Sequence, residues 1–286
     1  MKTQEDVTPE LPWMPEGLIV SVPNRGEFFV RYSQHDNTQA PTVLLLHGWT
    51  GNADINFFPA YQELAQRYSV IALDHRGHGR GLRTSDRFTL EDCADDAIAV
   101  LDRLGVSKVT AVGYSMGGPI AMLMNKRHPN RVNALVLCAT ALEWRATRNE
   151  RARWKIGRVI SPLFRMLSTP RIINRVVKRS IPHSSPVASL RPWLVSEIRR
   201  NDSWAMNQAG RALSKHDARP WAGSLGVRTA CIVTERDSLV SPHKQHALAS
   251  ATNATVIPVQ GDHLVMWQLP DVFTAAVVDA IRLVHE

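Results

Sequence analysis

The sequence predicts an α/β fold in which a mostly parallel central sheet is flanked by helices and interrupted by a helical insertion. Three observations carry this. Short apolar runs alternate with helical segments through residues 18–137 and again through residues 229–284. Between these stretches, residues 141–220 break the rhythm and carry a charge of their own. Across 286 residues, a 44% hydrophobic and 21% charged composition supplies a sizeable core and excludes a disordered chain.

Leu18–Val22 and Glu27–Tyr32 read as an opening strand pair around a turn at Pro23–Gly26. Thr42–Leu46 is unbroken in its apolar character, as a strand buried on both faces must be, and Phe57–Gln66 follows as a helix. Ser69–Leu73 is the next strand. Thr89–Leu104 is a long helix with Thr89 as N-cap, acidic residues early and Gly105 just past its end. Lys108–Val112 is a strand, Met116–Arg127 a helix stopped before Pro129, and Val132–Leu137 a further strand. Beyond the break come the strand Thr229–Thr234, the helix Pro242–Ser250, the strand Ala254–Val259 and the helix Asp271–Val284. Pro258 suits that last strand to a sheet edge. The division is therefore residues 1–140 as the first part of the core, 141–220 as the insertion and 221–286 as the second part of the core. Ligands of such sheets sit beyond the C-terminal ends of the strands, so each candidate motif should fall just after one.

The net charge is +8 and uneven: residues 141–220 hold 17 Lys and Arg against 5 Asp and Glu, and the rest of the chain 17 against 21. The block also holds Trp144, Trp154, Trp193 and Trp204, with Leu163, Phe164, Met166 and Leu167. Without a groove-reading motif, nucleic acid is not an expected partner. Solvated arginines over inward-packed aromatics are the first reading, and contact with an anionic membrane or lipid is the alternative. Cys93, Cys138 and Cys231 are too scattered for a disulfide framework or a metal site and read as buried thiols. The N-terminus lacks a cationic start running into an apolar stretch, and no apolar run approaches the length of a membrane span, so the expected location is the cytoplasm.

Gly113-Tyr114-Ser115-Met116-Gly117 fits Gly-x-Ser-x-Gly between a strand ending at Val112 and a helix starting near Met116. A serine hydroxyl attacks only when it is held out at the apex of a tight strand-to-helix turn. Such a turn crowds the positions two before and two after, which must be small. In this setting the chain resembles the α/β-hydrolase-fold serine hydrolases over nearly its whole length, with motifs from His47 to His263 in the order Ser, acid, His. The serine at the turn argues against epoxide hydrolase and dehalogenase activity, whose members carry an aspartate there.

The resemblance implies the remaining residues. Of eleven histidines, His263 lies after the last strand and before the final helix, the place of the family's base. Asp237, after the strand Thr229–Thr234, is in register for the acid; Glu235, Glu143 and Asp262 are its neighbours or alternatives. Backbone amides of Met116 and of Trp49, in His47-Gly48-Trp49-Thr50-Gly51, would hold an oxyanion, with His47 propping the loop. Asp74-His75-Arg76-Gly77-His78-Gly79-Arg80-Gly81 resembles a loop-fastening element of the family, except that Arg80 replaces a small hydroxylic residue. Relatives insert a helical cap where the basic block stands, so Trp144, Trp154, Trp193, Trp204 and Met206, with Tyr114 beside the serine, are the candidate substrate-lining residues. The expectation is a cofactor-free serine hydrolase of carboxylic esters with a small or medium apolar acyl group. Same-triad alternatives are a C–C bond hydrolase, a lactonase, an acyltransferase or a perhydrolase of the non-haem haloperoxidase kind. A ligand-binding protein that has kept the fold without turnover is the alternative of another class.

Overall fold

The computed structural model describes residues 10–156 and 170–286. Eight strands form one sheet: β1 (Glu16–Val22), β2 (Gly26–Ser33), β3 (Thr42–Leu46), β4 (Ser69–Leu73), β5 (Val109–Tyr114), β6 (Val132–Cys138), β7 (Arg228–Thr234) and β8 (Thr255–Val259). Their spatial order is β1-β2-β4-β3-β5-β6-β7-β8. β2 pairs antiparallel with both β1 and β4, and every other pair is parallel. β8 lies at the edge, where a strand containing Pro258 can be accommodated.

Period-two alternation divides the apolar strands between two cores. Leu44, Leu46, Leu135, Leu137, Cys231 and Val233 face one side, under α3 (Leu90–Arg103), α4 (Gly117–Arg127) and α9 (Pro242–Ala251). Val43, Leu45, Ala134, Val136, Ala230 and Ile232 face the other, against α11 (Pro270–His285) and the short helices α1 (Ala53–Phe57) and α2 (Tyr61–Ala65). Each fully buried Leu or Ile contributes roughly 1.5–3 kcal/mol, so a sheet buried on both faces is the stabilising centre. Thr89 caps α3 through a reciprocal pair, its hydroxyl accepting from the Asp92 N–H and the Asp92 carboxylate accepting from the Thr89 N–H.

Two elements depart from the sequence reading. The helix expected over Phe57–Gln66 is instead α1 and α2 on either side of Pro59, which has no N–H to carry the helical ladder on; the Ile55 carbonyl it would have served accepts from the Trp267 indole instead (2.8 Å). A further turn of helix, α10 (Val265–Gln268), follows His263.

The connection from β6 to β7 is helical. It holds a stretch at residues 148–156, here α5, then α6 (Pro170–Ser180), α7 (Arg191–Ile198) and α8 (Ser203–Leu213). Leu163, Phe164, Met166 and Leu167 lie outside the described residues. On α6, Val177 is buried, whereas Ile172, Val176 and all four cations, Arg171, Arg175, Lys178 and Arg179, are exposed. Among the described residues no helix is long and apolar enough to cross a membrane. All three cysteines are buried and unpaired with one another.

Candidate active site

Ser115 sits between the end of β5 and the start of α4 with φ +51°, a left-handed value that a non-glycine residue adopts only when its surroundings hold it there. Its N–H donates to the Cys138 carbonyl (2.8 Å), and its carbonyl accepts from the Gly118 N–H (3.0 Å) and the Thr140 hydroxyl (2.7 Å). The flanking glycines are required sterically. A Cβ on Gly117 would lie 1.9 Å from the Leu46 carbonyl oxygen, and one on Gly113 would lie 2.3 Å from that of Gly117.

The turn brings the serine to two residues far along the chain. Ser115 Oγ is 3.1 Å from His263 Nε2, and His263 Nδ1 is 2.7 Å from Asp237 Oδ2. Asp237 Oδ1 accepts from the N–H groups of Leu239 and Val240, both at 2.8 Å, and Oδ2 also accepts from the Thr234 hydroxyl (2.9 Å) and Gln245 Nε2 (3.1 Å). Five donors therefore fix this carboxylate. A carboxylate only accepts, so its partner Nδ1 carries the imidazole proton and leaves Nε2 free to accept from the serine. The competing acids are engaged elsewhere: Glu235 with His246 (3.0 Å), Glu143 with Lys244 (2.9 Å), and Asp262 with the His263 N–H (2.6 Å). Burial pushes the Asp262 carboxyl up, but the donors from His263 and Ser238 outweigh it and hold the group below its usual range.

The loop after β3 faces the serine. Gly48 packs so closely that a Cβ there would lie 3.2 Å from Ser115 Cβ. His47 donates from Nδ1 to the Gly48 carbonyl (2.8 Å) and accepts at Nε2 from the His75 N–H (2.9 Å), while Asn56 Oδ1 accepts from the Gly48 N–H (2.8 Å). The Gly48 carbonyl belongs to the same peptide unit as the Trp49 N–H, so His47 sets the direction of that amide. Among the described residues, neither the Trp49 nor the Met116 backbone N–H donates to a protein acceptor. The Met116 amide stands at the N-terminal end of α4, where partial positive charge favours an anion, and the Trp49 amide follows Gly48, which packs on Ser115.

Arg76 fastens the loop after β4 to α3 through Asp96 (2.6 and 2.7 Å). Arg80, the departure from the family pattern, forms a forked pair with Glu197 of α7 (2.8 and 2.9 Å). Behind the loop, His47, His75 and His78 cluster, with His47 4.4 and 5.2 Å from the other two ring centres. Burial drives all three toward the neutral form. His75 falls to about 3, His78 to about 4, and His47 well below the usual value, with His75 and His78 adding to its shift. Between pH 6.5 and 5 the unfolded chain takes up protons that these rings refuse, so stability falls with pH by about 2 kcal/mol for each of His75 and His78. His47 acts in the same direction. Asp74, raised to about 7 by burial and by Asp54, works oppositely and returns about 2 kcal/mol over that window. Urea unfolding at pH 6.5 and pH 5.0 should therefore show a net loss of at least about 2 kcal/mol, and His75→Leu should flatten the slope. An unchanged slope in that variant contradicts the assignment.

The candidate lining residues separate into two groups. Trp154 packs against Trp49 (ring centres 5.7 Å apart) and donates to the Trp144 carbonyl (2.7 Å), and the Met206 carbonyl accepts from the Trp49 indole (2.9 Å). Trp154 and the Met206 backbone thus touch the loop beside the serine directly, and Trp144 touches it only through Trp154. Tyr114 lies under the same loop, its Cδ1 3.5 Å from where a Cβ on Gly48 would stand. Tyr114 is 1% exposed, packs against Phe57 and Phe273 and donates its hydroxyl to the His263 carbonyl, so its side chain supports the histidine loop from below. Trp193 is buried edge-on against Phe58 (5.4 Å), and Trp204 is 37% exposed on the outer side of α8. Their place on the helices, which the sequence leaves open, turns them away. Gln245 and Asn56 are supports that the sequence reading missed, and Tyr114, expected to line the substrate, supports the histidine loop instead.

The alpha/beta hydrolase fold family matches residues 41–270. The chain belongs to that family. A protein of Mycobacterium phage D29, named for non-heme haloperoxidase activity, is 29% identical over 260 residues, which cover 86% of this chain and 88% of that one. The RutD protein of Caulobacter vibrioides, named for carbamate hydrolysis, is 38% identical over 96 residues, and the match spans only about a third of either protein (33% of this chain, 36% of RutD). Among solved structures, the esterase EaEST of Exiguobacterium antarcticum has a TM-score of 0.80 at 19% identity, covering 93% of this chain and all of that one, a likeness of fold. Within this alpha/beta hydrolase, the sheet order and the strained serine turn bring together Ser115, Asp237 and His263, which follow β5, β7 and β8.

Proposed function

We propose that this alpha/beta hydrolase cleaves carboxylic esters of a small or medium apolar acyl group through a Ser115–His263–Asp237 triad. The observation that carries the reading is the unbroken run of hydrogen bonds from Ser115 Oγ to His263 Nε2 and from His263 Nδ1 to Asp237. Ser115 Oγ attacks the ester carbonyl as His263 Nε2 takes its proton. The carbonyl oxygen, now an oxyanion, accepts from the Trp49 and Met116 amides. Collapse expels the alcohol, which receives the proton from His263, and leaves an acyl-serine. Water, deprotonated by the same imidazole, then releases the acid and restores the hydroxyl. Trp49 and Trp154 suit an apolar acyl group, with α5–α8 as a cap.

A second reading draws on the likeness to the phage protein: hydrogen peroxide in place of water would intercept the same acyl-serine and yield a peracid. The deciding experiment is a substrate panel on the purified protein: p-nitrophenyl esters of increasing acyl length, lactones, vinylogous diketones, and acetate with hydrogen peroxide. Turnover highest on short or medium esters supports the proposal. A preference of tenfold or more for another class replaces it with that class, and failure of the wild-type serine to react with a fluorophosphonate removes the hydrolase reading.

A further inference from the structure

The loop that would hold the oxyanion is secured by the helical connection as well as by the core. The Gly51 N–H donates to the Gly48 carbonyl (3.4 Å), closing a β-turn with Trp49 and Thr50 at its centre. Thr50 has φ +68° and Trp49 is not among the positive-φ residues, which is the pattern of a type II turn. That turn favours glycine at its third position; a β-branched residue there is strained and by itself would prefer the right-handed turn. Something outside the turn must hold it.

Asn201, between α7 and α8, is placed to do so. Its Nδ2 donates to the Thr50 carbonyl (2.7 Å), and its Oδ1 accepts from the Gly79 N–H (2.8 Å). One partner only accepts and the other only donates, so the amide can sit one way round. Adjacent bonds converge on the same segment. The Asp202 N–H donates to the Gly77 carbonyl (2.8 Å), Arg83 donates to the Arg200 carbonyl (2.8 Å), and Asn52 Nδ2 donates to Glu197 (2.8 Å), the carboxylate that Arg80 also grips. The Trp49 indole reaches the Met206 carbonyl of α8, against Gly210, where a Cβ would lie 2.6 Å from the indole ring. The segment from Glu197 to Gly210 is thus tied to the loops after both β3 and β4.

We propose that Asn201 is a positioning residue for the oxyanion site: it clamps Thr50 in the left-handed conformation and thereby keeps the Trp49 amide aimed at the reacting carbonyl. The proposal rests on the ester-hydrolase reading above. Asn201 touches neither Ser115 nor His263 in the hydrogen-bond network, so it acts only through the turn. Removing it lets Thr50 relax and displaces one of two oxyanion donors. Loss of a whole donor costs about 10²–10³ in kcat, and a partial displacement about 10–100-fold.

The test is steady-state kinetics on the best p-nitrophenyl ester for wild type, Asn201→Ala, and Asn201→Ala combined with Thr50→Gly, with thermal midpoints for all three. Asn201→Ala should lower kcat about 10–100-fold with KM changed by less than about threefold. Glycine adopts φ +68° without strain, so adding Thr50→Gly should restore kcat at least about fivefold, a recovery that a merely structural defect would not give. If Asn201→Ala fails to fold, Asn201→Asp keeps the acceptor for Gly79, removes the donor to Thr50 and should show the same loss. Wild-type kcat in a folded Asn201 variant, or a loss that Thr50→Gly leaves unchanged, overturns the positioning role. An inactive and unlabelled wild type overturns the ester-hydrolase reading instead.

Discussion

Ser115→Ala should abolish ester turnover, lowering kcat by on the order of 10⁵–10⁶, while the protein stays folded and the thermal midpoint moves little. The hydroxyl is the only group removed, and alanine keeps a Cβ for the turn. The residual rate should match what the amides of Trp49 and Met116 provide to an attacking water. Fluorophosphonate labelling, followed by intact mass, should disappear in the same variant. Turnover within tenfold of wild type would take Ser115 out of the mechanism.

Asp237→Asn is the second large effect, and the surroundings of Asp237 give its direction. The N–H groups of Leu239 and Val240 both donate to Oδ1, so an asparagine must place its carbonyl there. Its NH₂ then occupies the Oδ2 position, 2.7 Å from His263 Nδ1. A donor facing Nδ1 moves the imidazole proton to Nε2, the atom that must accept from Ser115. The same NH₂ meets the Gln245 amide, itself a donor at 3.1 Å, which adds repulsion where there was a bond. We expect kcat to fall about 10⁴-fold with KM nearly unchanged. A loss under tenfold would show that this carboxylate does not set the tautomer.

The buried strands were legible as short unbroken apolar runs; that Val43 and Leu45 of β3 oppose Leu44 and Leu46 is visible only once both faces of the sheet are covered. The serine turn was legible because its motif is contiguous in sequence, although the crowding that Gly117 answers comes from the Leu46 carbonyl at the end of β3. Tyr114 could have been read better, since it shares a strand face with the buried Val112. Trp193 could not, because α7 has no clear apolar face, whereas α8 buries Ala205, Ala209 and Leu213 at helical spacing and leaves Trp204 off that face. Asn201 and Gln245 were illegible for a different reason. Neither has a sequence signature, and each acquires meaning only from partners, 151 residues away for Asn201 and Thr50. Arg80 was noticed as an exception, but Glu197, 117 positions on, is what makes sense of it.

The span between Ser115 and His263, 148 residues, has a consequence for biosynthesis. A ribosome makes the hydroxyl, the carboxylate and the imidazole in that order, and β5, α4 and their glycines can assemble on the emerging polypeptide well before β8 exists. Until the histidine arrives, the serine turn has no imidazole beside it. On the proposed mechanism, the hydroxyl gains its proton acceptor only once His263 has left the ribosome.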